Sequence, residues 1–196
     1  YNGCLPNFNL AIETSQSHEV GATASFDDLL INSDSLRARI VYFDTAVDDE
    51  ILSQTSPILN PAPAPRYSNL GSNDRHGYEF ELSYANRFMY SNIVYSEVAG
   101  NDHNNEPLWQ LPADTLVFDT GLLFSEASIG MTFKHLQNRQ VKAFNMHTGQ
   151  SEVAQHDGYS LINVYANWKI NQQISLKLAL DNLLDSQYQL VAGTGG

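Results

Sequence analysis

The sequence predicts an all-β fold: antiparallel strands in up-and-down meander order, about eight of them, of the transmembrane β-barrel kind. Three observations predict it. Runs that alternate apolar and polar residues recur along the chain, and successive side chains of a strand point to opposite faces, so each run has one apolar face. The connections between runs alternate short and long, the rhythm of outer-membrane barrels, whose turns are short on one side and loops long on the other. Aromatic residues also fall near the ends of the runs: Tyr42, Phe43, Tyr84, Phe88, Tyr90, Phe118, Phe124, Tyr165 and Trp168. Interfacial girdles would place them there, although strands of any kind are rich in aromatics.

Taken in order, residues 1–16 read as polar and irregular. The first strand begins near Ser17, with Val20, Ala22, Ala24 and Phe26 on one parity. The turn cluster Asn32-Ser33-Asp34 links it to a second strand, where Leu36, Ala38, Ile40 and Tyr42 alternate with Arg37 and Arg39. An irregular stretch from about Asp48 to Asn73 contains Asn60-Pro61-Ala62-Pro63-Ala64-Pro65, which cannot sit in a ladder. Tyr78, Phe80, Leu82 and Tyr84 then alternate with Glu79, Glu81 and Ser83. A tight turn at Ala85-Asn86-Arg87 leads to a strand over Phe88 to Val98, and a second long loop covers about Ala99 to Ala113. Strands follow over Thr115 to Phe124 and around Ile129, Met131 and Phe133, joined at Ser125-Glu126. A third long loop covers about Asn138 to Asp157. The last hairpin pairs Ile162, Val164, Ala166 and Trp168 with Ile174, Leu176, Leu178 and Leu180 across Lys169-Ile170-Asn171-Gln172.

Composition sets the outer limits. The 196 residues carry a net charge of −12, which disfavours nucleic acid, because phosphate binding is carried mainly by Lys and Arg. Cys4 is alone, so there is neither a disulfide framework nor a thiolate metal cluster. No apolar run is long enough for a membrane helix, but membrane strands need only about ten residues each. The chain starts at Tyr1 without Met or a signal peptide, which fits a processed precursor or a fragment. Catalytic signatures such as Gly-x-Ser-x-Gly, a phosphate loop or His-Glu-x-x-His are missing, so an enzyme is not expected.

Three segments carry a family resemblance. Asn7-Phe8-Asn9-Leu10-Ala11-Ile12-Glu13-Thr14-Ser15-Gln16-Ser17-His18-Glu19-Val20-Gly21 is similar to a segment Asn-Pro-Asn-Leu-Lys-Pro-Glu-x-Ser-x-x-x-Glu-x-Gly, with Phe8 and Ile12 in place of prolines. Gly77-Tyr78-Glu79-Phe80-Glu81-Leu82 resembles a Gly-x-Glu-x-Glu strand. Asp181-Asn182-Leu183-Leu184-Asp185-Ser186-Gln187-Tyr188 resembles an Asn-Leu-Phe-Asp-x-x-Tyr box, with Leu184 for Phe. In this order they resemble TonB-dependent outer-membrane receptors, with the haem and haemoglobin receptors nearest. The resemblance implies that residues 1–196 are the C-terminal part of such a barrel, without the plug domain, the earlier strands or the closing strand. It implies import of haem, of haem from haemoproteins, or of a ferric siderophore, across the outer membrane of a Gram-negative bacterium. The implied partners are outer-membrane lipid, the transported ligand and the TonB complex, reached through the plug. No covalently bound cofactor is expected; haem would be cargo. The loop that carries a haem-coordinating His in that group precedes this segment, so that residue has no counterpart here.

His103, His147 and His156 fall in the long loops, where neutral imidazole can ligate haem iron; an ordinary solvated side chain is the plainer reading of each. His18, His76 and His135 lie in or beside strands and read as polar residues facing the lumen. Arg37, Arg39, Glu79, Glu81, Lys134 and Lys177 lie on polar strand faces, which in a barrel line a wet lumen or meet the plug. Asp48-Asp49-Glu50 offers oxygens to a divalent cation, but lacks a loop with defined ligand positions, so solvated charge is expected. A soluble β-sandwich that binds carbohydrate or protein is the rival fold: the same apolar faces would then point into a core.

Overall fold

A computed structural model describes residues 7–53, 67–69, 71–108, 111–145 and 150–188. The strands are β1 (Thr14–Asp27), β2 (Ser35–Asp48), β3 (Ile51–Ser53), β4 (Tyr67–Asn69), β5 (Asn73–Ala85), β6 (Met89–Asp102), β7 (Thr115–Leu123), β8 (Ala127–Leu136), β9 (Arg139–Asn145), β10 (Gln150–His156), β11 (Tyr159–Lys169) and β12 (Ser175–Leu180). Eight of them make one sheet in the order β1-β2-β5-β6-β7-β8-β11-β12, every ladder antiparallel. The eight expected strands are these eight. Two long connections expected to be irregular instead carry hairpins, β3–β4 and β9–β10. The proline run Asn60–Pro65 lies outside the described residues.

Directly opposed residues share a face, so the registers sort the whole sheet. One row runs Ala24, Ala38, Leu82, Ile93, Phe118, Phe133, Ile162 from β1 to β11. The next runs Phe26, Leu36, Tyr84, Ser91, Thr120, Met131, Val164 and ends on Leu180 in β12. This face is apolar and uncovered: Val20 is 68 % exposed, Leu178 59 % and Leu180 62 %. Among the described residues the only buried apolar side chains are Val41, Val47 and Val141. A soluble sandwich would cover such a face with a second sheet. Instead the eight main strands lie in one sheet, each bonded to its neighbours in chain order, which overturns the sandwich alternative.

The apolar band is slanted. Its edge nearest the short turns lies at Leu36 in β2, whereas in β11 it lies at Trp168, beyond the Val164 that shares the row of Leu36. A band of constant height crosses successive strands at shifting positions only if the strands tilt, as barrel closure demands. β1 and β12 each pair on one side only among the described residues.

Sequence chemistry sets the short turns. Asn86 Oδ1 accepts the N–H groups of Phe88 (2.7 Å) and Met89 (3.0 Å), and Asn171 Oδ1 those of Gln173 (2.9 Å) and Ile174 (2.8 Å). Each side chain thereby replaces a backbone acceptor in its turn. The turn between β1 and β2 is built on Asp34, 3 % exposed, whose carboxylate accepts from the amides of Leu29 (2.8 Å), Leu30 (3.0 Å) and Ile31 (3.0 Å) and from the Tyr84 hydroxyl (3.1 Å). Burial alone would raise this carboxyl's pKa; the three amides and Tyr84 outweigh it and hold it below the usual value. Its contribution to stability is therefore complete above the unfolded carboxyl range, near pH 4, and is lost as pH falls through the lower folded value. In acid unfolding of the refolded protein, the stability gap between wild type and Asp34→Asn is expected to be constant above about pH 5 and to close below it.

Candidate functional site

Two surfaces bear on function: the polar face of the sheet and the side with the long connections. The polar face carries all six charged residues singled out by parity. Arg39 on β2 lies directly opposite Glu81 on β5, and its Nη1 sits 3.2 Å from Glu81 and 3.6 Å from Glu79. Arg37 bonds Asp27 (2.9 Å) and the Phe26 carbonyl (3.0 Å) across the β1–β2 turn. Lys134 lies opposite Val117 and Leu161, and Lys177 opposite Asn167; neither is in an ion pair among the described residues.

The same face holds a cluster that sequence reading missed. Tyr90, Gly121, Gly130 and Tyr165 form one cross-strand row over β6, β7, β8 and β11. The two rings lie over the two glycines and their hydroxyls bond each other. Tyr165 also donates to Asp119 Oδ1 at 2.8 Å, which accepts Thr132 Oγ1 at 2.8 Å as well. A Cβ on Gly130 would lie 2.6 Å from Tyr165 Cζ, and one on Gly121 2.7 Å from the Tyr90 ring. Only the ladder registers reveal this row; Tyr90 and Tyr165 are remote in sequence.

The connection between β2 and β5 is tied down by the first resembling segment. Asn69 Oδ1 accepts the Ala11 amide (2.9 Å), and Asn69 Nδ2 donates to the carbonyls of Asp49 (2.6 Å) and Ala11 (3.2 Å). Glu13 accepts the Ile51 amide (2.8 Å), and Asn7 Nδ2 donates to the Tyr67 carbonyl (3.1 Å). The polar residues of that segment thus hold the β3–β4 hairpin. Asp48-Asp49-Glu50 is not simply solvated charge: Glu50 pairs with Arg75 and accepts from Asn73 (2.6 Å), and Asp48 accepts from Ser72 (2.6 Å). The third segment is also structural. Asn182, at φ 52°, closes a loop on Ser186 through bonds of 2.9 and 3.1 Å, and Tyr188 stacks on Tyr159 with centroids 4.5 Å apart.

Of the loop histidines, His103 follows β6 directly, bonded through Nε2 to Asn104 (3.0 Å), with its ring against Gly71. His156 ends strand β10 opposite Arg139, since its connection is a hairpin rather than a loop. His147 lies outside the described residues. Neither His103 nor His156 is among the residues that line the cleft on this side. A cleft of about 440 Å³ on this side is lined by His76, Leu108, Asp114, Asn138 and Arg139, among others, with Arg139 donating to the Leu111 carbonyl (2.8 Å). Burial, and then the charge of Glu97, raise the Asp114 carboxyl above its usual value.

His18, His76 and His135 are not on the polar face. His18 and His76 share a row with Asp44 on the parity of Tyr42 and Tyr78, and His135 stacks on Phe133, 6.4 Å between ring centroids. They lie past the apolar band toward the long connections, where an outward side chain meets polar surroundings. Among the aromatics, Phe43, Tyr90 and Tyr165 belong to the polar face and Phe118 to the middle of the band. Tyr42 and Tyr84 sit at the band's rims, with Trp168 at the rim nearest the short turns.

Residues 1–183 match the family model "TonB dependent receptor-like, beta-barrel". The chain belongs to this family of TonB-dependent receptor barrels. It is 24 % identical over 200 residues to the "Hemin receptor" of Yersinia pestis, covering 98 % of this chain and 28 % of that protein. It is also 24 % identical over 207 residues to the "TonB-dependent heme receptor A" of Haemophilus ducreyi, covering 90 % and 28 %. The chain therefore spans less than a third of these relatives. Among solved structures, it is similar to the ferripyoverdine receptor of the Pseudomonas aeruginosa outer membrane (TM-score 0.72, 19 % identity, 90 % of this chain, 24 % of that one). It is similar too to the FrpB iron transporter from Neisseria meningitidis (0.70, 18 %, 93 %, 29 %). These likenesses establish the fold.

Proposed function

We propose that this chain is the C-terminal part of the barrel of an outer-membrane importer that captures haem, or haem from haemoproteins, and moves it inward with energy from the TonB system. The observation that carries the reading is the single tilted sheet, apolar on one face and charged on the other, in a chain of this receptor family. Receptors named for haem among its relatives support the ligand. In this reading the long connections face the outside and offer His103, His147 and His156 to the ligand. Arg37, Arg39, Glu79, Glu81, Lys134 and Lys177 face the lumen or the plug, a part of the receptor outside this chain. The role is transport, without bond chemistry. A ferric siderophore is the second reading, favoured by the fold shared with the ferripyoverdine receptor.

The test uses the whole receptor. Purified protein titrated with haem should show a saturable shift of the haem absorption band, and it should support growth on haem as sole iron source. If an imidazole holds the iron, alanine at that one of His103, His147 or His156 weakens binding by about tenfold or more, about 1.4 kcal/mol. Unchanged affinity in all three variants places the iron elsewhere. A wild-type receptor that ignores haem but binds a ferric siderophore establishes the second reading instead.

A further inference from the structure

The β1–β2 turn lies on the side of the short turns, yet it presents three consecutive large apolar side chains to solvent. Leu29 is 50 % exposed, Leu30 71 % and Ile31 44 %. The turn is not loose. The Asp34 carboxylate gathers the amides of all three residues, the Asp28 amide donates to the Asp34 carbonyl (3.1 Å), and the Asp34 amide to the Ile31 carbonyl (3.2 Å). A turn this well satisfied could carry polar side chains at no cost; three apolar ones in water oppose the hydrophobic effect.

Its lean says what covers it. Asp34 has the parity of Leu36, on the apolar face, and it is reached by the hydroxyl of Tyr84, which lies beyond β2 on the same face. The turn therefore folds toward the outer, apolar side of the sheet, over β2 and β5. The polar face, where a plug would sit, is on the other side. The edge of β1 that has no strand beside it among the described residues, where further strands would add, is also on the far side from β5. The apolar face next to this turn carries Phe26, Leu36 and Tyr84, and Phe88 (52 % exposed) and Phe124 (60 %) stand exposed at neighbouring turns.

We propose that Leu29, Leu30 and Ile31 form a fixed wedge that inserts into the headgroup–acyl boundary of the phospholipid leaflet on the short-turn side. Asp34 folds the turn outward and keeps its own charge satisfied where water is scarce. The proposal rests on the membrane-barrel reading and is independent of the ligand.

The experiment places single cysteines at Leu30, Ser125 and Leu178 in the full receptor with Cys4 replaced, labels each with a polarity-sensitive fluorophore, and reconstitutes the protein in phospholipid vesicles carrying shallow or deep nitroxide quenchers. Ser125 reports a polar turn on the same side, and Leu178 the apolar band. Shallow-quencher lipid should reduce emission at position 30 by about twofold or more, with little effect of aqueous iodide, while position 125 shows the reverse. Iodide quenching at 30 equal to that at 125, with 178 quenched by lipid, overturns the wedge and leaves the barrel intact. Loss of lipid quenching at 178 overturns the membrane reading itself. Position 30 water-exposed in vesicles but shielded in the cell envelope assigns the turn to a periplasmic protein, and the wedge is wrong. Heat-dependent gel migration confirms that each variant is folded, and Leu30→Ser with a probe at position 29 should lose most of the shallow quenching.

Discussion

Gly77→Ala is expected to be the most damaging small substitution in the sheet. Gly77 opens the second family-like segment and lies on the polar face of β5 between Phe43 and Val98. A Cβ there would collide with the backbone carbonyl of Glu97 and approach Phe43 Cζ to 2.6 Å. The ring can swing aside, but the carbonyl belongs to the β5–β6 ladder and cannot move without breaking its bonds. The cost should be about 3 kcal/mol, at the upper end of overpacking. It would be read as a lower midpoint in urea unfolding of the receptor refolded in lipid vesicles. Ser83→Ala on the same strand, which removes one hydroxyl and adds no clash, should leave the midpoint nearly unchanged. Equal effects of the two would show that the close approach at Gly77 carries no energetic weight.

Gly130→Val, a larger change, should cost at least as much. The added branches occupy the space of the Tyr165 ring, which must leave the row it shares with Tyr90. Overpacking of about 1–3 kcal/mol would be joined by loss of the Tyr165 bonds to Tyr90 and Asp119, each worth about 1 kcal/mol or somewhat more. Tyr165→Phe separates the two: it keeps the ring and removes the hydroxyl, so it should cost only the hydrogen-bond part. Once Tyr165 is Phe, a further Tyr90→Phe change should cost less than it does alone. Strict additivity of the two would mean that the hydroxyls do not act as a pair.

The faces of six of the eight main strands were legible because parity is a local property; for β6 and β7 only the extent was. Tyr78, Phe80, Leu82 and Tyr84 announce a face without knowledge of their neighbours, and the six charged residues singled out by parity lie opposite. What needs the register was not legible. The Tyr90–Gly121–Gly130–Tyr165 row joins four strands, and two of its members are glycines with no side chain to signal a face. The histidines failed for a different reason. His18, His76 and His135 were assigned to the polar face because they are polar, but beyond the apolar band the outward direction is itself polar, so side-chain chemistry no longer reports direction. β3, β4, β9 and β10 were missed because each is short and carries no sustained alternation; β3–β4 is held instead by Asn69, Asn7 and Glu13 through side-chain bonds to backbone. β6 ran past its expected end at Val98 to Asp102 because β5 continues opposite it as far as Asn73. A ladder persists where both backbones are present, whatever their side chains.

The order of the sheet has a consequence for how such a wall is assembled. Each main strand bonds the main strand that precedes or follows it, so no segment waits for a distant one before its amides are satisfied. The chain separating two partners is never longer than one connection, and closure entropy grows only slowly with loop length. Such a wall can grow hairpin by hairpin, each new pair extending an edge already formed. The natural unit of change is then two strands and a turn. Removing β7, β8 and their turn together would leave β6 facing β11 with the same antiparallel sense, whereas removing one strand would reverse it. The circumference of an antiparallel barrel of this kind changes in steps of two strands.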